Sequence, residues 1–222
     1  MAVLEGGVSG ALMGVGVESA SAAHVQVKPI AYGSLGHYRS AVRFALANAQ
    51  AANSRLWEVR NTAANLIIPT RLRVTWTLTS AHTAAILDQL ALFRCTAFTA
   101  VDTTNTVTPT ASVKRTSGMA AAPGGAAIRH VTVAGAAAGM TLGTLTKDGG
   151  ASGQLEQWLL AAVPTAGPTT SMLFEFLDDV NGTHPFVLAQ NEGLELENVV
   201  LLGAAAGSSV VVDFSWCETT AY

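Results

Sequence analysis

The residues best suited by type and spacing to do chemistry lie in "NEGLELENVVLLG", residues 191–203, where Glu192, Glu195 and Glu197 fall within six positions. Two neighbouring carboxylates can serve as acid and base on a glycosidic bond, provided that a cleft holds them and a partner raises one pKa. The spacing supplies neither. Leu194 and Leu196 alternate with Glu195 and Glu197, so on a strand the leucines share one face and the glutamates the other. The expectation is a half-buried strand whose two carboxylates point outward together as a solvated or interfacial face.

A second grouping, "DDVNGTH", gathers Asp178, Asp179, Asn181 and His184. Its spacing departs from a calcium loop, and Asn-Gly after a strand signals a tight hairpin, so a turn is expected. The five histidines are scattered along the chain, and Cys95 and Cys217 lie far apart in apolar runs. These cysteines read as small buried hydrophobes of a reduced protein, and no metal centre is expected. Walker, dinucleotide-binding and G-x-S-x-G patterns are absent from the sequence, so no cofactor and no catalytic residue is assigned, and the chain is read as a non-enzyme.

The elements that carry these residues follow a period of two. "HYRSAVRFALA" places Tyr38, Val42, Phe44 and Leu46 on one face and Arg39 and Arg43 on the other. In "LIIPTRLRVTWTLTS", Leu72, Val74, Trp76 and Leu78 face one way and Arg71, Arg73, Thr75, Thr77 and Thr79 the other, with Pro69 marking the start of the strand. "AHTAAILDQLALFRCTAF" is ambiguous at Ile86 and Leu87 and is read as a short turn or helix followed by a strand near residues 90–98. Further strand-like runs include "TNTVTPTASVKR", "AAIRHVTVAG", "LEQWLLAAV", "SMLFEFLDD", "PFVLAQNEG", "LELENVVLLG" and "SSVVVDFSWCE", separated by Gly- and Pro-rich turns. Trp57, Trp76, Trp158 and Trp216 all fall in such runs and are expected to be buried.

About ten strands without alternating helices imply an all-β chain: an antiparallel β-sandwich, jelly-roll-like, as residues 22–222, preceded by an extended N-terminal arm at residues 1–21. An immunoglobulin-like sandwich is the runner-up, although its cysteine and tryptophan pattern is missing. The 222 residues are half apolar and only 12% charged, which suits a chain that covers surface against partners. Residues 1–115 hold ten Lys or Arg against five acids, and residues 116–222 hold two against ten, a split of +5 and −8 that could orient copies against one another. Clustered Lys and Arg interleaved with aromatics are missing, so direct nucleic-acid binding is not expected. No uninterrupted apolar run reaches the length of a membrane helix, and the first residues carry Glu5 where an export signal carries positive charge, so neither membrane insertion nor export is expected.

Several phrases resemble virion structural proteins of tailed bacteriophages: "RLWEVRNTAANLIIPTRLRVTWT", "VDTTNTVTPTASVKRTS", "TLTKDGG", "DDVNGTHPFVLAQNEGLELENVVLLGAAAGSSV" and the closing "FSWCE". The likeness spans about residues 50–218. It implies a particle component built from β-sandwich subunits in symmetric oligomers, located in the virion after assembly in the bacterial cytoplasm. A capsid decoration or cement protein is the first expectation, binding the major capsid protein or other virion proteins and itself as a homo-oligomer, with a trimer favoured. A tail, baseplate or fibre-attachment protein is the alternative, and a carbohydrate-binding module the competing class. The charge split makes Arg39, Arg43, Arg71 and Arg73 a candidate interface that would meet Glu195 and Glu197 of another copy.

Overall fold

A computed structural model describes residues 3–5, 12–14, 16–18, 22–24, 35–81, 87–109, 113–114, 124–132, 138–141, 143–161, 169–176, 186–203 and 207–220, with backbone only before residue 35 and at 160, 161, 169 and 170. The expected "DDVNGTH" turn and residues 82–86 of the ambiguous stretch lie outside the described residues, as does most of the expected arm, whereas Leu87 already belongs to a strand that runs to Thr96.

The chain divides into Met1–Tyr32 and Gly33–Tyr222. In the first unit, β1 (Val3–Glu5) pairs antiparallel with β2 (Leu12–Gly14), and β3 (Gly16–Glu18) with β4 (Ala22–His24). The second unit runs through β5 (Gly36–Leu46), β6 (Ser54–Asn61), β7 (Leu66–Leu78), β8 (Leu87–Thr96), β9 (Thr106–Val107), β10 (Val113–Lys114), β11 (Ala126–Val131), β12 (Thr146–Lys147), β13 (Gln154–Ala161), β14 (Thr169–Glu175), β15 (Gly193–Asn198) and β16 (Ser208–Thr219). It is an antiparallel β-sandwich. One sheet has the order β10-β5-β16-β7-β14; the other runs β12-β8-β15-β6-β11-β9, with β13 also on β8.

The pairing has a simple logic. Long strands pair as β5 with β16, β6 with β15, β7 with β14 and β8 with β13, so the chain doubles back on itself as one long hairpin. That hairpin then rolls up, bringing β16 beside β7 and β15 beside β8. The connection between β8 and β13, residues 97–153, carries the extra strands β9 to β12.

The period-two reading of the central strands holds. Tyr38, Val42, Phe44, Leu72, Val74, Trp76, Val210, Val212, Phe214 and Trp216 line the inner face of the five-stranded sheet and are buried against Trp57, Leu90, Leu92, Leu194 and Leu196 of the other. An aromatic column crosses the core: Tyr38 lies 5.7 Å from Trp216, Trp216 stacks on Phe214 at 5.1 Å, and Phe214 meets the edge of Trp57 at 5.5 Å. All four tryptophans are interior, and both cysteines are buried and free.

Three local expectations change. Pro69 lies inside β7, not at its start. There it faces Trp216 at a bulge, where the missing N–H is tolerated. The run "TNTVTPTASVKR" supplies two short strands in different sheets, β9 and β10, with Pro109 between them. "PFVLAQNEG" contributes an isolated bridge from Leu188 to Ile67 rather than a strand.

Candidate functional site

The two glutamates of β15 do not point to solvent. Leu194 and Leu196 face the core as the alternation requires, but Glu195 is fully buried and Glu197 nearly so. The alternation fixes which residues share a face and is silent on what lies above it. Here the outer face of the seven-stranded sheet is covered by parts of the β8–β13 connection around Asp102, whose N–H bonds to Glu58, and Leu145, which packs on Phe93, Cys95 and Phe98.

Beneath that cover lies a buried charge cluster. Arg55 of β6 reaches Asp102 through Nη1 at 2.9 Å, Glu195 through Nε at 2.5 Å and Glu58 through Nη1 at 3.7 Å. Lys147 of β12 reaches Glu197 at 2.5 Å and Glu195 at 3.5 Å, and its ammonium sits 4.1 Å from the centre of the Phe93 ring. Asp102 ties this cover to the sheet: its N–H donates to Glu58 Oε1 at 2.9 Å, and its Oδ1 accepts from Gly143 N. Register explains why Arg55 and Glu58 share a face although they are three apart. Leu196 pairs with Trp57 and Glu197 with Arg55, so the bulge turns Arg55 to the side of Glu58.

Four carboxyl groups thus meet two cations in contact, with Arg129 near enough to Glu58 to act on it through its charge. Burial pushes Glu58 up to about 7 and raises Asp102, in each case against the pull of Arg55. Glu195 is raised well above the carboxylate range, chiefly by burial and against the pull of Arg55 and Lys147. Burial, followed by the charge of Glu195, also pushes the Cys95 thiol up, which makes it inert where it stands. Among the described residues no group of His, Cys, Asp and Glu is placed to hold a metal ion; in this cluster Arg55 and Lys147 occupy the positions a cation would take.

The closing phrase "FSWCE" has a structural task that its sequence did not announce. Glu218 is fully buried, yet its carboxylate accepts from Gly124 N at 2.7 Å, from Gly125 N and Ala126 N at 3.3 Å, from Asn65 Nδ2 at 2.9 Å and from Trp216 Nε1 at 3.2 Å. It fastens the start of β11 and the β6–β7 turn to the end of β16.

The arginines expected to share a face do so. β16 lies between β5 and β7, with Ser215 opposite both Arg39 and Arg71, Asp213 opposite Arg73, and Val211 opposite Arg43. Asp213 binds Arg39 through two hydrogen bonds of 2.7 Å and Arg71 through one of 3.2 Å. Arg43 donates to Ser209, while Arg73 is exposed and has no side-chain partner among the described residues. This outer face of the five-stranded sheet is a basic ladder edged with hydroxyls, among them Thr75 bonded to Ser171. The acidic half expected for it, Glu195 and Glu197 of another copy, is a correction: both are sealed inside their own sandwich.

No protein-family model matches the chain, and no match was found among curated proteins or solved structures.

Proposed function

We propose that the chain is a structural component of a bacteriophage virion, a capsid decoration protein that binds the outer head surface as a symmetric homo-oligomer, with a trimer favoured. The observation that carries the reading is the winding of the sandwich. The strand pairs β5–β16, β6–β15, β7–β14 and β8–β13, rolled into two facing antiparallel sheets, support the expected jelly-roll-like reading, an architecture that viral capsid proteins share with lectin domains. The phrase resemblance to tailed-phage virion proteins points the same way. A carbohydrate-binding module gains less support, because all four tryptophans are core residues and none forms a stacking platform.

The basic ladder of Arg39, Arg43, Arg71 and Arg73 is the surface offered to an acidic partner, whether a sibling subunit or the shell. Asp213 neutralises part of it and leaves Arg43 and Arg73 available. Decoration then rests on many weak contacts summed by symmetry. The test is the solution mass of the protein across salt, together with its attachment to particles, for the wild type and the charge-reversed pair Arg71→Glu and Arg73→Glu. Assembly that weakens in the variant and at high salt supports the role of this face. An oligomer mass and a particle attachment unmoved by both changes overturn it.

A further inference from the structure

The other sheet edges of the sandwich are guarded. β9, β10 and β12 are two residues long, β10 carries Lys114, and β13 is bulged between Gln154 and Glu156. Short strands, lysines and bulges are the devices that keep a sheet edge from pairing with another chain. β14 has none of them. It runs for seven residues, "TTSMLFE", without Pro, Gly, Lys or Arg and with unbroken register on β7. It ends the five-stranded sheet and, among the described residues, pairs with no strand other than β7.

The hydrogen bonds at its end show which main-chain groups β14 leaves over. Phe176 N donates to Thr70 O between β14 and β7, and Thr79 N donates to Gly207 O between β7 and β16. Bonded and non-bonded pairs alternate along an antiparallel ladder, so Leu72, Val74 and Trp76 turn their main-chain groups to β14, while Arg71, Arg73 and Thr75 turn theirs to β16. Ser171, Leu173 and Glu175 lie opposite those last three and therefore point N–H and C=O out of the sheet. The side chains are open there too. Ser171 and Glu175 are exposed, and Leu173 is 45% exposed on the outer face. Met172 lies on the inner face opposite Val74 and is still 38% exposed, so the core is uncovered along this edge.

We propose that β14 is a two-fold interface: it pairs antiparallel with β14 of a second copy of the chain, Leu173 opposite its counterpart, and continues the five-stranded sheet across both copies. The register follows from the strand itself. With Leu173 at the centre, Ser171 faces Glu175 of the second copy and the reverse, so every outward-pointing residue gains a partner and about six main-chain hydrogen bonds form, two for each facing pair. On the outer face the two Leu173 side chains cover each other. On the inner face Met172 meets Phe174 of the second copy, which closes the core. Glu175, the one charge on the strand, ends up about 13 Å from its counterpart at the usual rise of a strand. Centring the pair on Glu175 would set the two carboxylates side by side, and centring it on Ser171 would leave both Glu175 residues unpaired. A foreign strand would gain the main-chain bonds without this match, so the complementarity of β14 to itself selects a second copy. The interface uses none of the ladder arginines and does not rest on the virion reading.

The experiment measures the mass of the full chain in solution by light scattering, beside Leu173→Lys at the same concentration. Lysine at this exposed position spares the core and should halve the mass, whether two single chains or two trimers are joined through β14. Cross-linking checks the register. Both native cysteines are buried, so oxidation of Leu173→Cys should yield a disulfide-linked pair, since facing Cα atoms lie about 5.5 Å apart, within disulfide reach. Ser171→Cys should stay unlinked, because its counterpart is as distant as that of Glu175. A mass unchanged by Leu173→Lys, or cross-linking as extensive at Ser171→Cys as at Leu173→Cys, would overturn the proposal.

Discussion

Replacing Arg55 with methionine tests the electrostatics of the cluster most sharply. The substitution keeps most of the side-chain volume and removes the guanidinium that stands 2.9 Å from Asp102, 2.5 Å from Glu195 and 3.7 Å from Glu58. Stripping the counter-charge from a buried ion pair destabilises by ~3–5 kcal/mol. An independent route gives a similar size. The stranded carboxyls escape by taking up protons, and holding a proton at pH 7 on a group that ordinarily titrates near 4.5 takes ~3 kcal/mol for each carboxyl neutralised. In a domain of this length each kcal/mol moves the melting temperature by about 2–4 °C, so a drop of about 6–20 °C is expected near neutrality. At about pH 5 the same protonation takes under ~1 kcal/mol, so the deficit should shrink to less than half. Thermal unfolding followed by circular dichroism at the two pH values measures both. A deficit under ~1 kcal/mol at neutral pH, or one that does not change with pH, would refute the reasoning, because it would mean that the carboxyls had no need of Arg55.

Other substitutions probe the packing and the basic face. At Gly193 a Cβ would collide with the carbonyl oxygen of Val59 and lie 2.8 Å from Phe98 Cδ1, so Gly193→Ala should lose ~3 kcal/mol in urea unfolding. Trp76→Ala opens a large hole in the core and should lose ~3–5 kcal/mol by the same measurement. Asp213→Asn breaks a pair whose Arg39 side chain is 49% exposed, so stability should change by under ~1 kcal/mol. Because it leaves the ladder more positive, it should strengthen attachment to an acidic partner and steepen its salt dependence; weaker attachment would count against an acidic partner.

Much of the framework can be read from the sequence, because period-two alternation reports directly on which residues share a face. It places Leu72, Val74, Trp76 and Leu78 inside and groups Arg39 and Arg43 with Arg71 and Arg73, although these come from strands separated in the sheet by β16. The same rule puts Leu194 and Leu196 in the core and their glutamates on the opposite face. It stops there. Whether that second face meets water depends on Asp102, Leu145 and Lys147, which lie far from Glu195 along the chain, and no local pattern near Glu195 records this. The bulge that turns Arg55 toward Glu58 is likewise invisible, since one extra residue on one strand shows only when the partner strand is known. Asp102 and Lys147 lie in weakly patterned connecting sequence, so the groups that complete the cluster carry no signal of their own. Pro69 misleads for a related reason: it reads as a strand boundary unless a bulge opposite it removes the need for its hydrogen bond.

The central claim is that this β-sandwich is a particle component, and quantitative mass spectrometry of purified virions, scaled to the major capsid protein, tests it most directly. The account predicts a copy number comparable to that of the capsid protein, as decoration of the head requires. A copy number that is a small fraction of it would move the chain to the neck or tail, and absence from particles would contradict the account.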